Sequence, residues 1–395
     1  MRVLFTAVPS AGHVNPLLPL ARALVATGHE VTLTSGRAAA ATATTAGIGF
    51  VEAGLDESEM VAQAAARFGD LAAPIRGIAM FAAIAAPAFV RDALPQLDRL
   101  APDLVINEEG EWGGPVLAAI AGVPAVSHGW GAPLWSDDEL QAIAAAVAPL
   151  WREHNVTPSS PAGLFDRLYI DTCPPVLQSH AAARIPHRRP LRFEPFDSEE
   201  QPPAWLREPR ARPLLYATLG TVPAFNVAPT LLAALAEGLG DLDVDAVVTV
   251  GMNNDPRSLR PLPPNVRAER HLSQVEVLSR SSVAITHGGA GSTLAALSFG
   301  VPLLLLPGGA PSQRRLAASC VDCGAALALD RDSASAPAIR EAVQELLEDG
   351  SYRASAQRVR ASICEQPTAR TLVSELTKIA TWADQCASPL PLHLE

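Results

Sequence analysis

The chain has 395 residues, 48% of them hydrophobic, which is more than one core usually supports, so two domains are the expectation. A net charge of −11 with no basic stripe excludes a nucleic-acid partner. Lys378 is the only lysine, which removes the central residue of a Walker-type phosphate loop and of a Schiff-base mechanism. The first apolar run, from Val3, stops at Pro9, too short for a membrane span or a signal peptide, so a cytoplasmic location is expected.

In chain order, Arg2 to Val8 reads as a strand ending in Pro9-Ser10-Ala11-Gly12-His13. Asn15 then reads as an N-cap with Pro16 at the first helical position, and Leu17, Leu18, Leu20, Ala21, Leu24 and Val25 follow at helical spacing up to Gly28. A strand over His29 to Ser35 and a helix over Arg37 to Ala46 continue the β-α-β-α rhythm of a doubly wound parallel sheet, to which Asp103 to Asn107 and Pro124 to His128 add strands.

Seven prolines between Pro186 and Pro213, without periodicity, predict an interdomain linker. A second α/β series follows it. Strands are expected over Leu214 to Leu219, Ala246 to Val250, Val283 to Thr286 and Val301 to Leu306, and a helix over Pro229 to Leu239. Two Rossmann-like halves and a proline-rich joint predict an α/β protein whose ligands lie in a cleft between domains.

The most informative motif is His287-Gly288-Gly289-Ala290-Gly291-Ser292-Thr293, between a strand and an Ala-rich helix. Such a turn points free backbone N–H groups and the positive end of the helix dipole at one place, which suits a phosphate. Its position in the second half argues against a nicotinamide-dependent oxidoreductase, whose three-glycine turn follows the first strand; here Pro9 to His13 has one glycine. Five cysteines make no disulfide framework, and Cys320-Val321-Asp322-Cys323 has no second pair at zinc spacing, so helix packing is its expected role.

Ala11-Gly12-His13-Val14-Asn15-Pro16, Leu219-Gly220-Thr221, the segment Arg267 to Leu278 and His287 to Thr293 together resemble the nucleotide-sugar-dependent glycosyltransferases of the two-Rossmann-domain (GT-B) type, and among them the bacterial branch that decorates antibiotics and other secondary metabolites. The resemblance covers nearly the whole chain. It implies an acceptor-binding domain over 1–200, a nucleotide-sugar domain over 201–366, and a C-terminal helix from 367–395 that returns to the first domain, with Trp382 as a candidate anchor. The implied reaction is inverting, with no cofactor and with a nucleotide sugar and a small-molecule aglycone as partners; a homodimer is left open.

Transfer to a hydroxyl needs a base, and a histidine in a loop at the carboxyl end of the first strand suits that task near neutral pH. The resemblance gives that role to His13 and the supporting carboxylate to Glu108, with Glu109 open as the alternative. For the donor it implies Gly220, Thr221, His271, Leu272, His287, Gly289, Gly291, Ser292, Thr293, Ser312 and Gln313. Relatives commonly carry Trp near His271 and an acidic residue before Gln313. Ser312 cannot grip two sugar hydroxyls as a carboxylate does, which points to a deoxysugar on thymidine diphosphate (TDP).

Met80, Phe81, Trp112, Trp130 and Trp135 are candidates to line an aglycone pocket, with Phe89, His128, Asp137 and Asp138 behind them. No metal is expected: Asp241 to Asp245 and Asp330 to Asp332 spell D-x-D, but neither follows the glycine turn. A sugar-nucleotide epimerase and a non-catalytic auxiliary protein of the same fold stay open. The first should lack the His13 and Glu108 pairing, the second His13 or the phosphate turn.

Overall fold

The computed structural model describes residues 1–185, 187–195, 201–220, 229–252 and 254–386. In the first half, β1 (Arg2–Thr6), β2 (Glu30–Ser35), β3 (Gly49–Glu52), β4 (Leu104–Glu108), β5 (Ala125–His128), β6 (Leu168–Asp171) and β7 (Arg188–Pro190) form a sheet in the order β3-β2-β1-β4-β5-β6-β7. In the second, β8 (Leu214–Thr218), β9 (Asp245–Thr249), β10 (Val266–Glu269), β11 (Ser281–Thr286), β12 (Leu303–Leu305) and β13 (Ala326–Ala328) run β10-β9-β8-β11-β12-β13. Pairings in both sheets are parallel. Helices cover both faces of each sheet, which is why Leu303 to Leu305 is a continuous apolar run and not an alternating one.

Each sheet reverses its strand order once, between β1 and β4 and between β8 and β11. Crevices at such reversals, at the carboxyl ends of the strands, are where ligands bind in open α/β sheets. His13 follows β1 and Glu108 ends β4; Gly220 follows β8 and His287 follows β11.

Three expectations are corrected. Asn15 is not an N-cap: the helix starts at Ala11, and Asn15–Leu17 is a 3-10 turn before Leu18–Ala26. Pro16 has no N–H to offer the carbonyl four residues back, so the chain tightens there without stopping. His13 accordingly stands in the first helical turn and not in a loop. The proline-rich stretch is not wholly irregular, because Arg188–Pro190 pairs with Tyr169–Asp171 at the sheet edge, where proline is tolerated, and Ala204–Arg207 is a helical turn.

Four side chains ahead of β8 also join the halves through packing. Cys173, Leu177, Phe193 and Leu206 share a buried cluster with Leu272, Leu278, Leu294 and Leu316 of the second half. The helix Ala369–Cys386 lays Ala369, Leu372, Val373, Leu376 and Ala380 into the core that Leu17, Leu18, Leu20 and Leu24 build in the first half. Arg189 pairs with Glu375 beside that contact at 2.9 Å. The side chain of Trp382 lies outside the described residues.

Ile75–Leu100 is long and apolar enough to cross a membrane by length and composition, but Ala82, Ala86, Phe89, Val90 and Ala93 on it belong to a core cluster. Within it, Phe81–Ala85 forms a π-helical turn.

Candidate active site

The carboxyl end of β4 carries three glutamates in four residues, and all are buried: Glu108, Glu109 and Glu111 are 0%, 2% and 4% exposed. They do not form a solvated acidic loop. Each has its own donors. Glu111 accepts from the Thr6 hydroxyl at 2.6 Å and from the N–H groups of Gly113 and Gly114 at 2.7 and 2.8 Å, which caps the helix Gly114–Ala121. Glu109 accepts from the Tyr169 hydroxyl at 2.6 Å and from the Trp130 N–H at 3.3 Å. Glu108 accepts from the Gly110 N–H at 2.6 Å through Oε1 and lies 2.9 Å from His13 Nδ1 through Oε2.

Register explains the last contact. β1 pairs with β4 so that Thr6 faces Asn107, which sets Glu108 one step beyond, beside the helix that β1 feeds. Of the two glutamates left open as partners of His13, Glu108 is the one in contact. With Nδ1 turned to the Glu108 carboxylate at ion-pair distance, the lone pair of Nε2 is the basic site of the ring. Burial alone pulls the His13 pKa down, but the charge of Glu108 and its hydrogen bond outweigh it, with Glu57 and Glu109 adding, so the net shift is upward. Glu57, at the start of the helix Glu57–Phe68, is an acidic neighbour that no local motif flagged. Burial also pushes Glu109 up to about 8 and Glu111 up to about 7.

Aromatic rings flank His13. Trp130 meets it edge-on at 4.9 Å between centroids and Phe81, which opens the π-helical turn, lies at 5.9 Å. Trp135 packs edge-on against Trp130 at 5.7 Å. Met80 is half-buried next to Phe81. Trp112 and Phe89 are core residues, Trp112 only 1% exposed and donating its indole N–H to the Glu109 carbonyl at 2.9 Å. His128 is fully buried, its Nδ1 2.8 Å from the Gly129 carbonyl, and burial holds its pKa down at about 4. Asp137 and Asp138 are exposed in the first turn of Asp137–Glu153, where Asp137 pairs with Arg184 at 3.0 Å.

Across the cleft, the helix Ala290–Ser298 starts straight after Gly289, with Gly291 and Ser292 in its first turn. The His287 imidazole is held flat between two glycines: a Cβ on Gly220 would lie 2.5 Å from its Cε1 and one on Gly289 2.4 Å from its Nε2. Burial, with the Arg331 charge adding, holds His287 neutral with a pKa of about 4. Thr293 is fully buried with its hydroxyl 3.4 Å from that of Thr286, so it braces the turn and does not face the crevice. Ser292 Oγ receives a hydrogen bond from Gln274 at 3.1 Å.

Gln313 accepts from the Gly308 N–H at 2.9 Å, which leaves its amide NH2 for other work, and Ser312 stands beside it at the start of Pro311–Asp322. His271 is exposed after β10, while Leu272 is core. Thr221 lies outside the described residues.

No group of three or more potential metal-ligating side chains occurs among the described residues. Asp241 and Asp245, the ends of one D-x-D spelling, pair with Arg340 and Arg212, both at 2.5 Å, at the amino end of β9 and away from the phosphate turn. Cys320 is fully buried in helix packing and, like Cys323, is not in a disulfide.

Two parallel-sheet α/β domains, each with one switch point, are the architecture of the GT-B glycosyltransferases. The C-terminal domain family described as Erythromycin biosynthesis protein CIII-like matches residues 233–379. The L-demethylnoviosyl transferase of Streptomyces niveus is 36% identical over 382 residues, 93% of this chain and 95% of that protein. TDP-daunosamine transferase DnrS of Streptomyces peucetius is 28% identical over 96% of this chain and 97% of its own. The crystal structure of the glycosyltransferase VinC in complex with DTDP superposes with a TM-score of 0.78 at 25% identity, covering 97% and 100% of the two chains. The chain belongs to the nucleotide-sugar-dependent glycosyltransferases of antibiotic and natural-product biosynthesis.

Proposed function

We propose that this enzyme is an inverting, metal-independent glycosyltransferase that moves a deoxysugar from a TDP donor to a hydroxyl of a small-molecule secondary-metabolite aglycone. The observation that carries this reading is the His13 to Glu108 contact at 2.9 Å, with the rings of Phe81 and Trp130 beside the imidazole. His13 Nε2 takes the acceptor hydroxyl proton while Glu108 stabilises the imidazolium that forms. The acceptor oxygen bonds to the anomeric carbon from the face opposite the diphosphate. The bond from that carbon to the diphosphate oxygen breaks, and TDP leaves with the electron pair.

Negative charge on the leaving group meets the His287 imidazole and the N–H groups at the start of Ala290–Ser298. A neutral imidazole donates one N–H there without needing a charge. Ser312, in place of a carboxylate, supports a donor with fewer hydroxyls to satisfy. The similarity to DnrS, a TDP-daunosamine transferase, and to VinC, solved in complex with DTDP, supports the thymidine base.

The test is thermal stabilisation of the wild type and of His287→Ala by TDP and by uridine diphosphate, with chelator present. Stabilisation by TDP that the variant loses is the expected result. No stabilisation by either nucleotide would overturn the reading and leave the non-catalytic auxiliary protein in its place.

A further inference from the structure

Arg315 joins the two sides of the cleft. It stands on Pro311–Asp322, two residues past Gln313, and its Nη1 donates to Glu139 Oε1 of the first half at 2.6 Å, with 24% and 22% of the two side chains exposed. The other Glu139 oxygen accepts from the Ser136 N–H at 2.8 Å and so fixes the start of Asp137–Glu153. The same guanidinium lies 5.4 Å over the Trp135 ring. From there the contacts run on through Trp130 to His13, at 5.7 and 4.9 Å.

A second contact reaches the same loop. Gly131 has φ of 101°, and a Cβ on it would lie 2.5 Å from Leu294 Cδ1, on the helix that begins at the phosphate turn. The segment 130–135 is thus contacted from the donor side by two helices, at Gly131 and at Trp135, while Trp130 itself is bound from its own side by Glu109.

We propose that Arg315 is a positioning residue for transfer: its ion pair with Glu139 and its contact with Trp135 carry the placement of the sugar-side helix through Trp130 to the His13 imidazole. This rests on the base role proposed above for His13. The base is then aligned with the anomeric carbon only while the two halves are engaged. Misplacement of a reacting group by about 1 Å can cost about 10²-fold in rate, whereas an ion pair near the surface adds little to global stability. A positioning role and a merely stabilising one therefore separate by experiment.

The full-length chain labelled with 13C at histidine Cε1 gives the readout, with the His13 resonance assigned by its loss in His13→Ala. That resonance senses the ring of Trp130. It should move in Arg315→Ala and in Glu139→Gln, which keeps an oxygen for the Ser136 N–H, and move back toward the wild-type position in Arg315→Lys. The melting temperature and the affinity for TDP alone should stay within about twofold in binding and a few degrees in melting. In steady-state transfer the expected loss is about 10²-fold in kcat with little change in donor KM. An unmoved His13 resonance in Arg315→Ala and Glu139→Gln overturns the proposal, as does a loss that follows the melting temperature and is not relieved by lysine. Failure of the wild type to bind TDP, with the resonance still moving, overturns the donor assignment and leaves the coupling intact.

Discussion

Gly220 and His287 pack directly against each other: the imidazole occupies the space that any side chain on Gly220 would need, since a Cβ there would overlap Cε1 at 2.5 Å. Gly220 also has φ of 87°, which an L residue adopts at a cost of about 1–2 kcal/mol. Gly220→Ala should therefore displace the ring and weaken TDP binding at least about tenfold, while the fold, measured by far-UV circular dichroism, survives. Calorimetric titration with TDP checks this, and unchanged affinity would mean that the ring does not meet the diphosphate.

Removal of the base or its support should fall on the chemical step. His13→Ala is expected to lower kcat by about 10²–10⁴-fold with TDP binding retained. Glu108→Gln should keep some activity with an altered pH profile. Transfer needs neutral His13, so activity rises with pH through its pKa. That pKa is held up against burial chiefly by the Glu108 charge, so the glutamine variant should show its acid limb at lower pH.

Stability should fall as pH rises above 6.5. The folded pKa of Glu109 and Glu111, about 8 and about 7, exceeds the ordinary 4.5, so the folded state holds protons that the unfolded state releases, and stability declines through that window. Asp171 is raised by burial and acts in the same sense. The raised pKa of His13 does too, its contribution being complete below the unfolded value and lost as pH rises through the folded one. His128 and His287, lowered to about 4 from 6.5, act oppositely, but most of their gain lies below pH 6.5 and it levels off about one unit above it. Urea unfolding from pH 6.5 to 8 should show a decline to which Glu109 contributes about 1–2 kcal/mol. Glu109→Gln should flatten the curve.

Ser312→Asp restores a carboxylate beside Gln313 and should shift donor preference toward sugars with more hydroxyls. Competition between TDP-glucose and a TDP-deoxysugar measures the ratio. A two-hydroxyl grip is worth up to about tenfold or more in that ratio.

Much of this architecture was legible because it is spelled locally. Strand, glycine turn and helix follow each other within a dozen residues at His13 and at His287, and periodicity marks the helices beside them. What was not legible depends on distant partners. The sequence points to Glu108 or Glu109 as the partner of His13, but not to the donors that bury Glu109 and Glu111: Thr6, Trp130 and Tyr169 lie 105, 21 and 60 residues away from their carboxylate partners. Strands of three residues such as Arg188–Pro190 and Ala326–Ala328 are too short for a period to register and owe their conformation to the sheet edge they extend. Thr293 sits in the glycine motif yet turns inward, which no spacing distinguishes from an outward hydroxyl. Arg315 and Glu139 carry no motif, being 176 residues apart.

The packing of Ala369–Cys386 against Leu17, Leu18 and Leu24 gives the chain a folding order unlike that of beads on a string. During synthesis the first sheet can assemble long before residue 369 emerges, but one side of its core stays open to water until then. The first half must wait, partly unsealed, for the last helix. A translation pause or a nascent-chain truncation before residue 369 should therefore expose the same apolar surface that the finished protein hides.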